Sequence, residues 1–256
     1  MKSSEGIQKF IEHKRSIEKE RPLLTAEPNL ITIDGVDGSG KSTIVRKLVE
    51  KLQERFGKDR VVLADITNLR GSPKQEKLYG VTKQENITES RLDILYVAGV
   101  NRAYEELVIP ALHEGKIVVV DRSEVDLLRY TIGHGDKALV EKRKTYIQNG
   151  TVTHRLWAGN RIFLEADPND AWENLKSREQ KSKYDPVSLQ EAEISSKAQK
   201  EAEEYIESLP YQGAVQIVRE KVRRIEGIKE RKEYLDGLIE KLSASLDLSE
   251  KKNGDK

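Results

Sequence analysis

The stretch LITIDGVDGSGKSTIVRKL, residues 30–48, constrains this chain more than any other. It opens with an apolar run suited to a short buried strand and continues from Lys41 as a helical pattern. Between the two lie three glycines, a lysine and two hydroxyls, which a packed core does not need. Gly35 to Ser42, GVDGSGKS, fits the pattern G-x-x-x-x-G-K-[ST] in the strand–loop–helix setting that gives it meaning. Glycines let backbone N–H groups turn inward around phosphate oxygens. The helix N-terminus adds its dipole and its unpaired donors. Lys41 suits the β- and γ-phosphates and Ser42 suits Mg²⁺. Gly35, Asp37, Gly38, Ser39, Gly40, Lys41, Ser42 and Thr43 are therefore the candidate segment for a nucleotide's phosphates, a loop that GTPases, ATPases and small-molecule kinases share. Four such fixed positions arise by chance in roughly one chain of this size in a hundred.

Composition narrows the class. The chain has 256 residues, 36% hydrophobic and 35% charged, enough for one sizeable domain with appendages. A net charge of +1 and 5% aromatic residues argue against a nucleic-acid surface. With no cysteine, disulfides and thiolate metal sites are excluded. No apolar run approaches the ~20 residues of a membrane span, and the N-terminus has no signal-peptide core, so a cytoplasmic protein without a membrane partner is expected.

Strands are expected at NLITI, RVVLADI, KIVVVDR, NRIFLEA and GAVQIV. Helices are expected from Lys41, over a long region near residues 91–115 bent at Pro110, over 136–150, from 167, over 188–209 and over 221–248. An amphipathic helix is expected within residues 1–28. Strands alternating with helices predict an α/β fold, a parallel sheet covered on both faces. In the last helix Ile228, Leu235 and Leu242 recur every seven residues, either as a coiled-coil seam or as a stripe docked on the body.

Three further features bear on chemistry. Asp121 ends a buried strand, where ligands gather, and can hold Mg²⁺, with Arg122 beside it. Arg102 lies on the long helix before that strand. A basic segment with Arg178, Lys181 and Lys183 can close as a lid over transferring phosphates. The guanine-reading pattern [NT]-K-x-D has no counterpart after a strand, which disfavours a GTPase.

The segments DGVDGSGKST, ILYVAGVNRAYEE, VVVDR and LEADP…R resemble, in order and spacing, those of thymidylate kinases, from about residue 30 to residue 219. The resemblance implies a P-loop NTPase fold of three αβα layers, with a lid about 176–190 in a kinase domain over 29–220. Extra helices would lie in residues 1–28 and 221–256. It also implies ATP and Mg²⁺, the latter on Ser42 and Asp121, and a homodimer through the long helices. Asp37, Arg102, Arg122 and Tyr130 would hold the acceptor nucleotide, most simply dTMP. Lys41, Arg122, Arg178 and Lys181 would be catalytic, with the lid supplying the cation that the P-loop lacks.

The chain departs from the family at Ser123, at Asp126 where a serine is usual, and at Thr131 where a glutamine is usual. A loop near residues 64–73 is also replaced, with only Arg70 and Gly71 recognisable. Asp126 and Arg129 are thus candidates to read a different base or sugar. A nucleoside kinase, with Asp121 or Glu124 as base, and a P-loop ATPase switch are the rival readings.

Overall fold

The computed structural model describes residues 24–65, 97–151, 153, 156–178 and 185–248. The expected N-terminal helix, Arg70, Gly71, Lys181 and Lys183 lie outside the described residues. The described strands are β1 (Leu24–Gly35), β2 (Val61–Asp65), β3 (Ile117–Asp121), β4 (Leu156–Ala166), β5 (Tyr211–Gln212) and β6 (Gln216–Val222). The helices are α1 (Lys41–Phe56), α2 (97–113), α3 (Glu124–His134), α4 (Lys137–Gln148), α5 (Pro168–Lys176), α6 (Leu189–Ser208) and α7 (Ile228–Ser245). Every described strand pairing is parallel, in the order β2-β3-β1-β4-β6, with β5 beside the start of β1.

The apolar strand runs are explained by burial on both faces. Leu30, Val118, Val120 and Phe163 point into one core, packed by Tyr104 and Val108 of α2, Leu128 of α3 and Ile206 of α6. Their strand neighbours Ile31, Ile33, Val119 and Ile162 point into the other, packed by Leu48 and Leu52 of α1 and Leu242 of α7. The result is the expected αβα sandwich.

Three elements differ from the sequence expectation. In α2 the bend is a π-helical turn, Tyr104–Val108, just before Pro110. Pro110 has no N–H to return to the preceding turn, so the ladder resets there. α3 has no counterpart in the apolar periodicity, because Glu124, Asp126, Arg129 and Thr131 are all buried. The region 221–248 is not one helix: β6 continues to Val222 beside β4, and α7 starts at Ile228.

Gly159 marks an irregularity in β1, where the pairing with β4 shifts between Glu27 and Ile31. A Cβ there would lie 2.7 Å from the Glu27 carbonyl oxygen. The next residue, Asn160, donates to the Pro28 carbonyl at 2.7 Å and accepts from the Asp247 N–H at 3.0 Å. It ties that irregularity to the segment that follows α7.

α7 docks on the body rather than forming a free seam. Leu238, Ile239, Leu242 and Leu246 are buried, whereas Ile228 is 89% exposed. Lys47 pairs with Asp236 at 2.9 Å, and Arg55 donates to the Ser243 carbonyl at 3.2 Å. Leu242→Ala is expected to lose about 2–5 kcal/mol of stability in urea unfolding. Ile228→Ala should change it by less than about 0.5 kcal/mol. Equal effects at the two positions would contradict the docked helix.

Candidate active site

The phosphate loop joins β1 to α1 at the carboxyl edge of the sheet. Gly38 adopts φ 87°. A Cβ on it would also lie 2.2 Å from the Ala171 carbonyl oxygen, so only glycine fits. α5 rests directly on the loop, and Asn174 Nδ2 donates to the Gly38 carbonyl at 2.9 Å. Gly40, in the left-handed conformation, caps α1 without a side chain. Ser39 is buried, and its hydroxyl has no hydrogen-bond partner among the described residues. An orphaned hydroxyl inside such a loop is what a phosphate oxygen would satisfy.

The parallel register Ile33↔Asp121 sets the end of β3 beside the loop. Lys41, 5% exposed, lies with Nζ 3.6 Å from Asp121 Oδ1. The hydroxyl of Ser42 and the carboxylate of Asp121 are hard oxygen donors that suit Mg²⁺.

Arg122 is the one non-glycine residue at positive φ (74°) among the described residues. Its N–H donates to the Ile33 carbonyl at 3.1 Å, which fixes the turn after Asp121. Its Nη2 donates to Asp37 Oδ1 at 2.8 Å and its Nη1 to Asp126 Oδ2 at 2.7 Å. Arg129 donates to Asp126 Oδ1 through Nη2 at 2.6 Å and to Asp37 Oδ2 at 3.3 Å. Burial opposes ionisation of both carboxylates. The adjacent guanidiniums of Arg122 and Arg129, helped by Lys41, outweigh it and hold Asp37 and Asp126 below the usual carboxylate range.

A third carboxylate stands behind them. Asp34 is buried, and accepts from the Ser123 N–H at 2.9 Å and the Ser123 hydroxyl at 2.7 Å. Burial pushes its pKa up to about 7, against those hydrogen bonds. Nearby, Glu124 is 2% exposed and ion-paired with Arg161. That pairing disfavours Glu124 as a general base.

The structure thus brings together Lys41, Asp121, Asp37 and Arg122, and gives other expected residues neighbours of their own. Arg102 pairs along its own helix with Glu106 at 2.6 Å. Tyr130 is 38% exposed, its ring 4.2 Å from that of His134. Arg178 lies 3.7 Å from Asp185. Thr131 is buried and bonded to Arg143 and the Leu127 carbonyl. Asp34 and Asn174 were missed. The carboxylate inside an otherwise apolar strand was a signal for Asp34; nothing in the sequence marked Asn174.

Residues 33–222 match the sequence model of the thymidylate kinase family, most of the chain's length. The chain belongs to the thymidylate kinase family. It is similar to the thymidylate kinase of Chlorobium chlorochromatii, 31% identical over 151 residues, 58% of this chain and 65% of that protein. It is also similar to that of Mycoplasmopsis agalactiae, 38% identical over 99 residues, 36% of this chain and 44% of that one. The aligned part therefore spans about half to two thirds of these relatives. Its fold is shared with the crystal structure of a thymidylate kinase from Ehrlichia chaffeensis, at TM-score 0.54 and 16% identity. That match covers 86% of this chain and all of the other.

Asp34 gives the site a pH signature. A carboxyl whose folded pKa is raised contributes stability below its unfolded pKa, and loses it as pH rises through the folded value. The window is therefore from about 4 to 7. Asp34→Asn keeps an acceptor for the Ser123 N–H and removes the buried charge. Its stability relative to the parent chain should rise across that window, by on the order of a few kcal/mol. Denaturant unfolding at pH 5 and pH 8 measures this; an unchanged difference would show that Asp34 titrates normally.

Proposed function

We propose that this chain transfers the γ-phosphoryl group of ATP to a nucleoside monophosphate, with dTMP the leading acceptor. One observation carries the reading. Asp37, inside the phosphate loop, is ion-paired with Arg122, which directly follows Asp121. The donor-phosphate cradle and a charged acceptor site therefore share one wall. Family membership supports the same reaction.

The phosphates of ATP would lie against the loop N–H groups and the Ser39 hydroxyl, with Lys41 neutralising their charge. Mg²⁺, held by Ser42 and Asp121, would supply further charge neutralisation at the phosphate oxygens. Arg122 would hold the acceptor phosphate and Asp37 its sugar, with Arg102 and Tyr130 reaching them after leaving their present partners. An acceptor phosphate oxygen attacks the γ-phosphorus in line, the bond to the β-bridging oxygen breaks, and ADP leaves. A phosphate monoester is largely ionised at neutral pH, so no strong base is needed. Catalysis is positioning plus charge stabilisation. The lid cations Arg178, Lys181 and Lys183 would complete it, Arg178 exchanging Asp185 for phosphate. The reading extends to a cytoplasmic homodimer. No helix among the described residues is long and apolar enough to cross a membrane.

The test is acceptor-dependent ADP formation with ATP·Mg²⁺ against dTMP, dUMP, UMP, CMP, dCMP, AMP, GMP and thymidine. A monophosphate, dTMP first, should support turnover and thymidine should not. Lys41→Ala should lower that turnover by roughly 10²–10³-fold. Near-normal turnover in this variant would sink the mechanism. Phosphorylation of thymidine alone would make the chain a nucleoside kinase.

A further inference from the structure

The four charges of the cluster Asp37, Arg122, Asp126 and Arg129 are not equivalent. The Arg122 side chain is 22% exposed and accessible to a ligand; that of Arg129 is 7% exposed. The Arg129 guanidinium is committed to the protein. Its Nε and Nη2 donate to Asp126 Oδ1 at 3.0 and 2.6 Å, and its Nη1 donates to Ser195 Oγ at 2.6 Å. With the bond to Asp37, Arg129 ties α3 to the phosphate loop and to α6. Asp126 uses its other oxygen, Oδ2, for Arg122. Each Nη of Arg122 therefore meets a different carboxylate, and both carboxylates are anchored on Arg129. The left-handed backbone of Arg122 persists because its surroundings over-determine it.

We propose that Asp126, anchored by Arg129, is a positioning residue for the acceptor nucleotide: it braces the Arg122 guanidinium and keeps Asp37 facing it. This rests on the monophosphate kinase reading above and deepens it. Two roles for Asp126 predict opposite signs. As a bare negative charge it would repel a monophosphate dianion, and its removal would tighten acceptor binding. As a brace, its removal leaves Arg129 to draw Asp37 away, and Arg122 loses both anchors. The geometry favours the brace, because one carboxylate spans both arginines.

The test uses the full chain with ATP·Mg²⁺ and whichever monophosphate it prefers. KM is measured for each substrate, and binding of the monophosphate by calorimetry. Asp126→Asn should raise KM and Kd for the acceptor by about tenfold or more and leave KM for ATP within about twofold. Asp126→Glu should restore part of the loss. If Asp126→Asn does not fold, the double variant Asp126→Asn with Arg129→Gln removes both charges of the pair; it too should raise the acceptor KM and Kd, because Arg122 loses its bond to Asp126 and Asp37 loses its anchor on Arg129. An acceptor KM that is unchanged or lower overturns the brace. So does a parallel rise in both KM values with a lower thermal midpoint, which marks a merely structural residue. If the parent chain binds a monophosphate but makes no ADP, the kinase reading fails alone, and the calorimetric difference still decides the brace. A parent chain that binds no monophosphate overturns both.

Discussion

The parallel pairing of β1 with β3, in the register Ile33↔Asp121, governs where every charge in the site can stand. It sets a carboxylate beside the lysine that begins α1. It also forces the chain to turn directly after Asp121, with the Arg122 N–H closing on the Ile33 carbonyl. That turn aims the Arg122 side chain back over the phosphate loop, toward Asp37. A slip of one residue would send Asp121 to the opposite face of the sheet and dismantle both halves of the site.

The layer architecture was legible because its signals are apolar and periodic. β3 reads as a fully buried strand, and residues 188–209 read as the helix observed at Leu189–Ser208. The phosphate loop was legible for a different reason: its glycines answer to a backbone need that few other functions share. α3 shows where such reading stops. Beside Val125, Leu127 and Leu128 it buries Glu124, Asp126, Arg129 and Thr131, each satisfied by a partner distant in sequence or a turn away. Polar residues at these positions leave no apolar period to read. Their burial follows from pairing, which only the fold reveals.

The same limit applied to individual site residues. Lys41, Asp121 and Arg122 carried positional signals, being fixed to a loop or a strand end. Arg102 sits on the surface of α2 and Arg178 just past the end of α5, where the structure gives them acidic neighbours, Glu106 and Asp185. A long side chain on a helix can serve either a ligand or a neighbour, and sequence spacing does not choose between them.

The docking of α7 also bears on how the chain comes off the ribosome. The apolar face of α1, which begins at the phosphate loop, is covered in part by Leu238, Ile239, Leu242 and Leu246. These are made long after α1. Between the end of α1 at Phe56 and the start of α7 at Ile228, residues 57–227 must be added. During that interval the nucleotide-loop helix emerges with greasy surface exposed, a state that invites capture by chaperones or by another nascent chain. The helix that follows the loop therefore gains its full packing only once residues 228–246 have been made.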